Sequence, residues 1–595
     1  MAVNHGFAVR ANHGILLIKD WLGDRMTYQD ETPEDPTPGA QTDSGGQLIA
    51  RALLAHGVED VFCVPGESYL EVLDALYDER DRIRLVTCRH ENGASFMAEA
   101  YAKLTGCVGV CMVTRGPGAC NASIGVHTAF QDSSPMVVLV GHVRRADIGR
   151  EAFQEVDFER MFAPLAKAVR MIEHTDQAGA DVAWAFDTAL SGRPGPVVLV
   201  MPEDMLRDRV EACVPAPLPQ AMAEMDEGDL ERIHHRLCQA ERPLMMVGGG
   251  KWTDRARADI LTFAQNMDLP VCCSMRRLDI VDNTHPCFVG EMGIAPSPNL
   301  LRRIKDADLL LVVGSRLGEM TTQGYTLLSA EDARHKLVHV HVDASELGRV
   351  FTPAVGAACS PEGFAAAAKD LTPATDRWAG WRAQARADYD AWRRPRPVPG
   401  KLDLALAMKE LDDMLDSDAI VSVDAGNFTG WAQRYLTFGG ERKFLGPTNG
   451  AMGYGVPGGV AAKTAYPDRQ VVVFVGDGGF GMTGQEIATA VQQKQSLLIL
   501  VFNNGIYGTI RMHQERKHPG RVVATDLTNP DYAALARANG AYGDTVQTTE
   551  QFKPAVESAL AANTVAVLDV RYDANIISTS TTLDAIRQTA LNSKS

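Results

Sequence analysis

One stretch of the chain combines residue types and spacing suited to holding a phosphorylated ligand. Gly476-Asp477-Gly478-Gly479 follows the apolar run Val471–Val475, and a little under thirty residues later Asn503-Asn504-Gly505 follows a second apolar run, Leu497–Phe502. Both runs read as β-strands, so the two motifs fall at the carboxyl ends of two parallel strands, where open α/β sheets bind ligands. Glycines let the backbone approach a phosphate, and a helix expected over about Gly484 to Gln492 turns N–H donors and its positive end toward it. One carboxylate and one amide oxygen suit Mg²⁺, which takes a few protein oxygens and completes its octahedron with phosphate and water.

A second candidate is Glu91, in Arg89-His90-Glu91-Asn92-Gly93-Ala94, between a strand expected over Arg84–Cys88 and a helical pattern running to Ala102. A glutamate in a first helical turn is most simply a cap or a surface acid. Thr114-Arg115-Gly116-Pro117-Gly118 reads as a tight strand-to-helix turn. Gly453-x-Gly455-x-x-Gly458 matches the dinucleotide fingerprint, but Gly-, Pro- and Asn-rich sequence precedes it where a strand is required, so a nicotinamide site is disfavoured.

The elements that must position these residues form three series of apolar strands alternating with amphipathic segments. Val61–Val64, Arg84–Cys88, Val108–Thr114, Met136–Val140 and Pro196–Val200 make the first; Leu244–Val247, Val271–Ser274, Leu309–Val313 and Val338–Val342 the second; Ile420–Val423, Val471–Val475, Leu497–Phe502 and Val565–Val570 the third. Fully apolar strands separated by helices predict parallel sheets covered on both faces, hence an α/β protein of three tandem domains. The boundaries expected are a flexible leader at 1–42, domains at 43–212, 228–372 and 401–578, a linker at 373–400 and a tail at 579–595. The polar composition of Tyr28 to Thr42 offers little to bury, and Met26 is an alternative start.

The 595 residues carry 58 Lys+Arg against 75 Asp+Glu, a net charge of −17 that disfavours nucleic acid as a partner. No apolar run reaches a membrane span or a signal-peptide core. The 11 cysteines show neither CxxC pairs nor zinc-site spacing, and a reduced, cytoplasmic interior is expected.

The Gly-Asp-Gly motif, its spacer and the double Asn resemble the thiamine-diphosphate-dependent enzymes. The resemblance implies Asp477, Asn504 and the carbonyl of Ile506 as Mg²⁺ ligands, with Gly426, Asn427, Gly478 and Gly479 near the diphosphate. Met452, in Ala451-Met452-Gly453, is implied to wedge beneath the folded cofactor. Glu91 is implied to hydrogen-bond the pyrimidine N1′ of thiamine, favouring the imino tautomer that strips the proton from C2. The three units become a pyrimidine-binding, a central Rossmann-like and a diphosphate-binding domain. The site would be shared between subunits of a homodimer or homotetramer.

Pro65-Gly66, His90-Glu91, Gly116-Pro117-Gly118, Phe153-Gln154-Glu155 and Ser191–Pro196 resemble most closely the acetolactate synthase large-subunit group, which implies a 2-oxo-acid decarboxylating carboligase. Several residues depart from that group. Glu203 replaces a lysine, Gly314–Met320 replaces a run holding an arginine for the acceptor's carboxylate, and His513 replaces a tryptophan that sorts acceptors. Loss of these cations and gain of Glu203 as a repelling charge argue against a second free 2-oxo acid as acceptor. Glu67, near C2 by resemblance, offers a proton that would release an aldehyde, making simple decarboxylation the alternative. Glu67, Gln154 and His513 complete the expected pocket, and the altered Glu291-Met292-Gly293 leaves FAD open.

Overall fold

The N-terminal sheet lines up its strands so that loops distant in sequence meet along one edge. Its strands are β1 (Asp60–Cys63), β2 (Arg84–Thr87), β3 (Gly109–Val113), β4 (Met136–His142), β5 (Ala168–Met171) and β6 (Pro196–Pro202), in the order 2-1-3-4-6-5. The middle sheet holds β7 (Pro243–Val247), β8 (Val271–Ser274), β9 (Phe288–Met292), β10 (Leu309–Val313), β11 (Leu337–His341) and β12 (Val355–Ala358), ordered 9-8-7-10-11-12. The C-terminal sheet holds β13 (Ile420–Val423), β14 (Lys443–Leu445), β15 (Val471–Gly476), β16 (Leu498–Asn503), β17 (Tyr542–Val546) and β18 (Ala566–Arg571), ordered 14-13-15-16-18-17. Every pairing within the three sheets is parallel. The outer two sheets share one strand order, a repeat that the sequence does not announce.

This computed structural model describes residues 42–219, 222–373 and 378–593. All but the last residue of the expected leader lies outside them. From Asp43 the chain is one compact unit. Central strands such as β3, β10 and β15 are buried along their whole length because β-branched and apolar side chains face helices on both sides. One apolar core runs from Phe96 and Met97 of the first domain to Tyr454, Val456 and Val473 of the third. The contact is made by α1 (Glu91–Thr105) and the helix Gly455–Ala465, which occupy equivalent places in the two domains. Small residues on both helices bring them close; Phe96 meets Tyr454 edge-on at 5.5 Å, and the Tyr454 hydroxyl donates to the buried Glu99.

Three expectations change. The segment expected as a linker contains a helix, Ala379–Arg393, preceded by a buried Trp378; Ala385 and Tyr389 are buried on the middle domain, where Tyr389 packs edge-on against Phe288. Two of its tryptophans are covered by arginines of the neighbouring domains: Arg303 stacks on Trp381, and Arg434 on Trp392. The expected tail folds into Leu583–Asn592, held by Arg587 on the buried Glu515. The helix after the Gly-Asp-Gly turn begins at Asp477, seven residues before Gly484, as Asp477–Thr483, a 3₁₀ turn Gly484–Glu486 and Ile487–Gln492. Its glycines mask a helix that Phe480 and Thr483 anchor by burial.

Candidate active site

In the order 14-13-15-16-18-17 the connections reverse direction between β13 and β15, which makes that point the ligand crevice of the C-terminal sheet. Gly426 and Asn427 follow β13, Asp477 follows β15, and Asn503-Asn504 end β16. The buried Asp477 carboxylate accepts hydrogen bonds from the N–H of Gly478 (2.9 Å), the N–H of Gly505 (2.8 Å) and Asn529 Nδ2 (2.8 Å). Burial raises its pKa, and no lysine or arginine pairs with it among the described residues. Three N–H donors orient this carboxylate without neutralising it, which fits a cation ligand. The described residues hold no cluster of three or more His, Cys, Asp or Glu able to cage a metal by themselves. An ion here would depend on neutral oxygens and a ligand's phosphates, as the single carboxylate and the Asn504 amide imply.

The other expected residues of this half converge on the same turn. The space where Gly478 would carry a Cβ lies 2.5 Å from the Tyr507 ring and 3.3 Å from Met452 Cε, so only glycine admits both neighbours. Gly479 is similarly confined by Asp424, whose carboxylate accepts from the N–H groups of Gly453 and Gly455 and anchors the Met452 loop. Burial pushes Asp424 up to about 6. Asn427 Oδ1 accepts from Thr509 Oγ1 at 3.2 Å, which ties the Gly426-Asn427 turn to the helix Gly508–Lys517. His513 lies on the exposed side of that helix. Gly505 has φ +69°, the left-handed turn that lets Ile506 follow the strand end, and the Asn504 side chain accepts from the Ile506 N–H.

Glu91 is the first residue of α1, 9 % exposed, and accepts from Asn121 Nδ2 at 2.9 Å; His90 Nδ1 caps the helix by accepting from the Asn92 N–H. Sequence reasoning missed what holds this helix end. Glu486 of the C-terminal domain, fully buried, accepts from the N–H groups of Arg89 (3.1 Å) and His90 (3.1 Å) and from Thr489 Oγ1 (2.6 Å). Gly93 leaves it room: a Cβ there would come 2.4 Å from Glu486 Oε1. Asn529, the third donor to Asp477, was also missed, since a lone Asn before Pro530 carries no signal of its own.

The sequence reading of Glu203 as a repelling charge is corrected. Glu67, Arg115 and Glu203 follow β1, β3 and β6, and His142 ends β4; the four strands are neighbours, and so these residues meet at one sheet edge. Arg115 Nη2 donates to Glu203 at 2.5 Å, with both groups buried, while Arg115 Nη1 lies 3.7 Å from Glu67, whose side chain is 58 % exposed. Glu203 therefore neutralises a cation next to the site. Gln154 is held at φ +64° with its carbonyl accepting from the Gly116 N–H, and its Oε1 is buried without a partner. His142 Nδ1 and Arg115 Nε are likewise buried and unpartnered, and burial keeps the His142 ring toward its neutral form. The structure thus groups Glu67 and Gln154 with Arg115, places Glu91 next to Gly118 of the same turn, and leaves Met320 exposed on its loop.

Three family models match: "Thiamine pyrophosphate enzyme, N-terminal TPP binding domain" over residues 43–161, the central domain over 230–368 and the "C-terminal TPP binding domain" over 424–570. The chain is 30 % identical over 532 residues to the acetolactate synthase isozyme 2 large subunit of Escherichia coli, spanning 89 % of this chain and 96 % of that protein. It is 32 % identical over 550 residues to the acetolactate synthase large subunit of Parasynechococcus marenigrum, covering 89 % of this chain and 88 % of that one. A Corynebacterium glutamicum large subunit matches at 31 % over 543 residues, with 87 % and 85 % covered. With all three domains matched and relatives at 30–32 % identity over most of the chain, it belongs to the thiamine pyrophosphate enzymes, among their acetolactate-synthase-like members.

Proposed function

We propose that the protein decarboxylates a 2-oxo acid and transfers the resulting acyl-anion equivalent to a carbonyl acceptor other than a second free 2-oxo acid. The observation that carries the choice of acceptor is the Arg115–Glu203 pair, with Glu67 close by. Two carboxylates around one guanidinium leave no free cation for an acceptor's carboxylate and favour a neutral acceptor.

Thiamine diphosphate, when bound, takes up the electron pair left as CO₂ departs. Asp477, Asn504 and the Ile506 carbonyl would hold Mg²⁺; Gly426, Asn427, Gly478 and Gly479 would line the diphosphate, and Met452 would support the rings. Glu91 would share a proton with the pyrimidine N1′, its carboxylate oriented by Asn121 and its helix by Glu486. His142 Nδ1, in the tautomer that carries its proton, would donate a hydrogen bond to a reacting carbonyl oxygen, Gln154 Oε1 would accept one from a substrate or product hydroxyl, and His513 would serve as an outer acid. On this reading Glu91 and Asp477 serve one site from two copies of the chain, as the family resemblance implies. The reading needs no flavin. Where the middle sheet's crevice opens between β7 and β10, Gly249 is backed against the Gly314 carbonyl and Arg277 donates to the carbonyls of Gly249 and Gly250.

The test is incubation of the purified protein, colourless by visible spectrum on this reading, with thiamine diphosphate, Mg²⁺ and a panel of 2-oxo acids, with and without aldehyde acceptors. Hydroxyketone formed only with an added neutral acceptor supports the proposal. Aldehyde alone moves the assignment to simple decarboxylation, and acetolactate from pyruvate alone refutes the acceptor choice.

A further inference from the structure

Two costly features coincide at Arg276, in the turn that follows β8. Its backbone is held at φ +60°, the left-handed region that strains a residue with a side chain. Its guanidinium is fully buried, and Nε, Nη1 and Nη2 all make no hydrogen bond. Such a residue persists only where its surroundings hold it, so the groups that face the charge matter. They are the carboxyls of Glu291 on β9, Asp424 after β13 and Asp132 in the first domain, and the Tyr454 hydroxyl. Nη1 reaches the C-terminal domain: a Cβ on Gly446 would meet it at 2.5 Å and Val423 Cγ2 at 2.6 Å, and Val423 is the residue before Asp424.

Three of these four groups have other side-chain partners. Glu291 accepts from Gln433 Nε2 (3.3 Å) as well as from the Arg276 N–H, and burial pushes it up to about 7. Asp132 is paired with Lys103 at 2.6 Å, and the Tyr454 hydroxyl donates to Glu99, a buried acid that also faces Lys103. Asp424 differs, because among the described residues its donors are backbone N–H groups alone. Oδ1 accepts from Ala425 (2.6 Å) and Gly453 (3.0 Å), and Oδ2 from Gly455 (2.9 Å), while Gly479 packs so close that a Cβ there would lie 2.9 Å from Oδ1. One side chain thus ties together the turn leading to Gly426 and Asn427, the Met452 loop and the Gly-Asp-Gly turn. Both oxygens are in use as acceptors, a pattern that suits the ionised group, since a protonated carboxyl turns one oxygen into a donor. Burial acts against the ionised form, and the three N–H donors and the Arg276 charge act for it.

We propose that Arg276 is a positioning residue of the cofactor site: its charge, supplied by the middle domain, keeps Asp424 the carboxylate on which the three turns are hung. The inference rests on the cofactor cradle proposed above. Thiamine diphosphate with Mg²⁺ is titrated into the cofactor-free, full-length protein by calorimetry at about pH 6.5 and about pH 8.5, on either side of the range where a buried carboxyl deprived of its cation ionises. R276M should bind about tenfold more weakly than wild type at the lower pH and within about threefold of it at the higher, where Asp424 ionises unaided. R276K, which keeps the charge, should stay within about threefold at both. D424N should bind weakly at both, and R276M should add nothing in that background, the mark of two residues acting as one unit. R276Q takes the place of R276M if that protein does not fold. Wild-type affinity in R276M, a deficit equal at the two pH values, or losses that add in the double variant overturn the proposal. M452A separates the two readings: wild-type affinity in M452A refutes the cradle and the inference with it, whereas a weakened M452A beside additive losses refutes the inference alone.

Discussion

Glu486→Ala removes a fully buried acceptor from two backbone N–H groups, those of Arg89 and His90, just ahead of the first helical residue. Each donor left unsatisfied costs about 1–3 kcal/mol where water does not reach it, so the helix start loses up to roughly 2–6 kcal/mol of local stabilisation. Water cannot readily replace the carboxylate, because Gly93 and Thr489 close round it. The helix end then relaxes outward, and Glu91, its first residue, moves with it. A displacement near 1 Å at a group that must meet a proton costs about 10²-fold in rate. The assay is exchange of the bound cofactor's C2 hydrogen in D₂O, followed by quench and NMR, alongside cofactor affinity and melting temperature. Glu486→Ala should exchange about 10²-fold more slowly with cofactor still bound. Glu486→Gln, which keeps one acceptor oxygen, should recover most of the rate. Gly93→Ala, which drives a methyl into Glu486, should resemble the alanine variant. Wild-type exchange in a folded Glu486→Ala protein refutes the positioning role, and a loss that merely follows weaker cofactor binding reassigns Glu486 to the cofactor pocket.

Two further outcomes are expected. The Asp477 carboxyl has its pKa raised by burial, so folding favours its protonated form; that contribution is complete below the unfolded-state pKa and is lost as pH rises through the folded one. Apo Asp477→Asn should therefore melt at or above wild type at pH 8, converge with it toward pH 4, and lose the stabilisation that thiamine diphosphate with Mg²⁺ gives wild type, as read by calorimetry. Glu203→Gln leaves Arg115 buried without its counter-charge, a loss that reaches about 3–5 kcal/mol where no acceptor remains and less with the amide oxygen in place. It should lower KM for carboxylate-bearing acceptors relative to neutral ones, and steady-state kinetics with matched acceptor pairs would show no such change if Arg115 does not face the substrate.

The diphosphate half of the site was legible because it is local: a strand, a glycine turn and a double Asn each carry their meaning in consecutive residues. Glu91 was legible only through resemblance, since a first-turn glutamate has commoner uses. Glu486 and the Arg115–Glu203 pair were not legible, because each contact joins residues far apart in sequence whose partners only the packing selects. The strands divide in the same way. Ala168–Met171, Phe288–Met292, Val355–Ala358, Lys443–Leu445 and Tyr542–Val546 were missed, and each lies at the edge of its sheet. An edge strand has only one neighbouring strand and less cover, so it does not need the unbroken apolar run that marks a central one. Glu203 shows the opposite failure, a correct position with the wrong electrostatic sign, because its charge was weighed without Arg115.

The shared strand order of the outer domains gives each loop of one a counterpart in the other. The helix after β3 starts at Gly116, and its counterpart after β15 starts at Asp477. One architecture thus serves two uses: at that step the third domain carries a carboxylate, and the first carries glycine with a guanidinium one residue earlier. The strands can be regarded as common stock, and the division of labour as the property of a few residues at their tips. Loop exchange between corresponding positions of the two domains, with the strands left alone, is accordingly a natural route to redesign this enzyme.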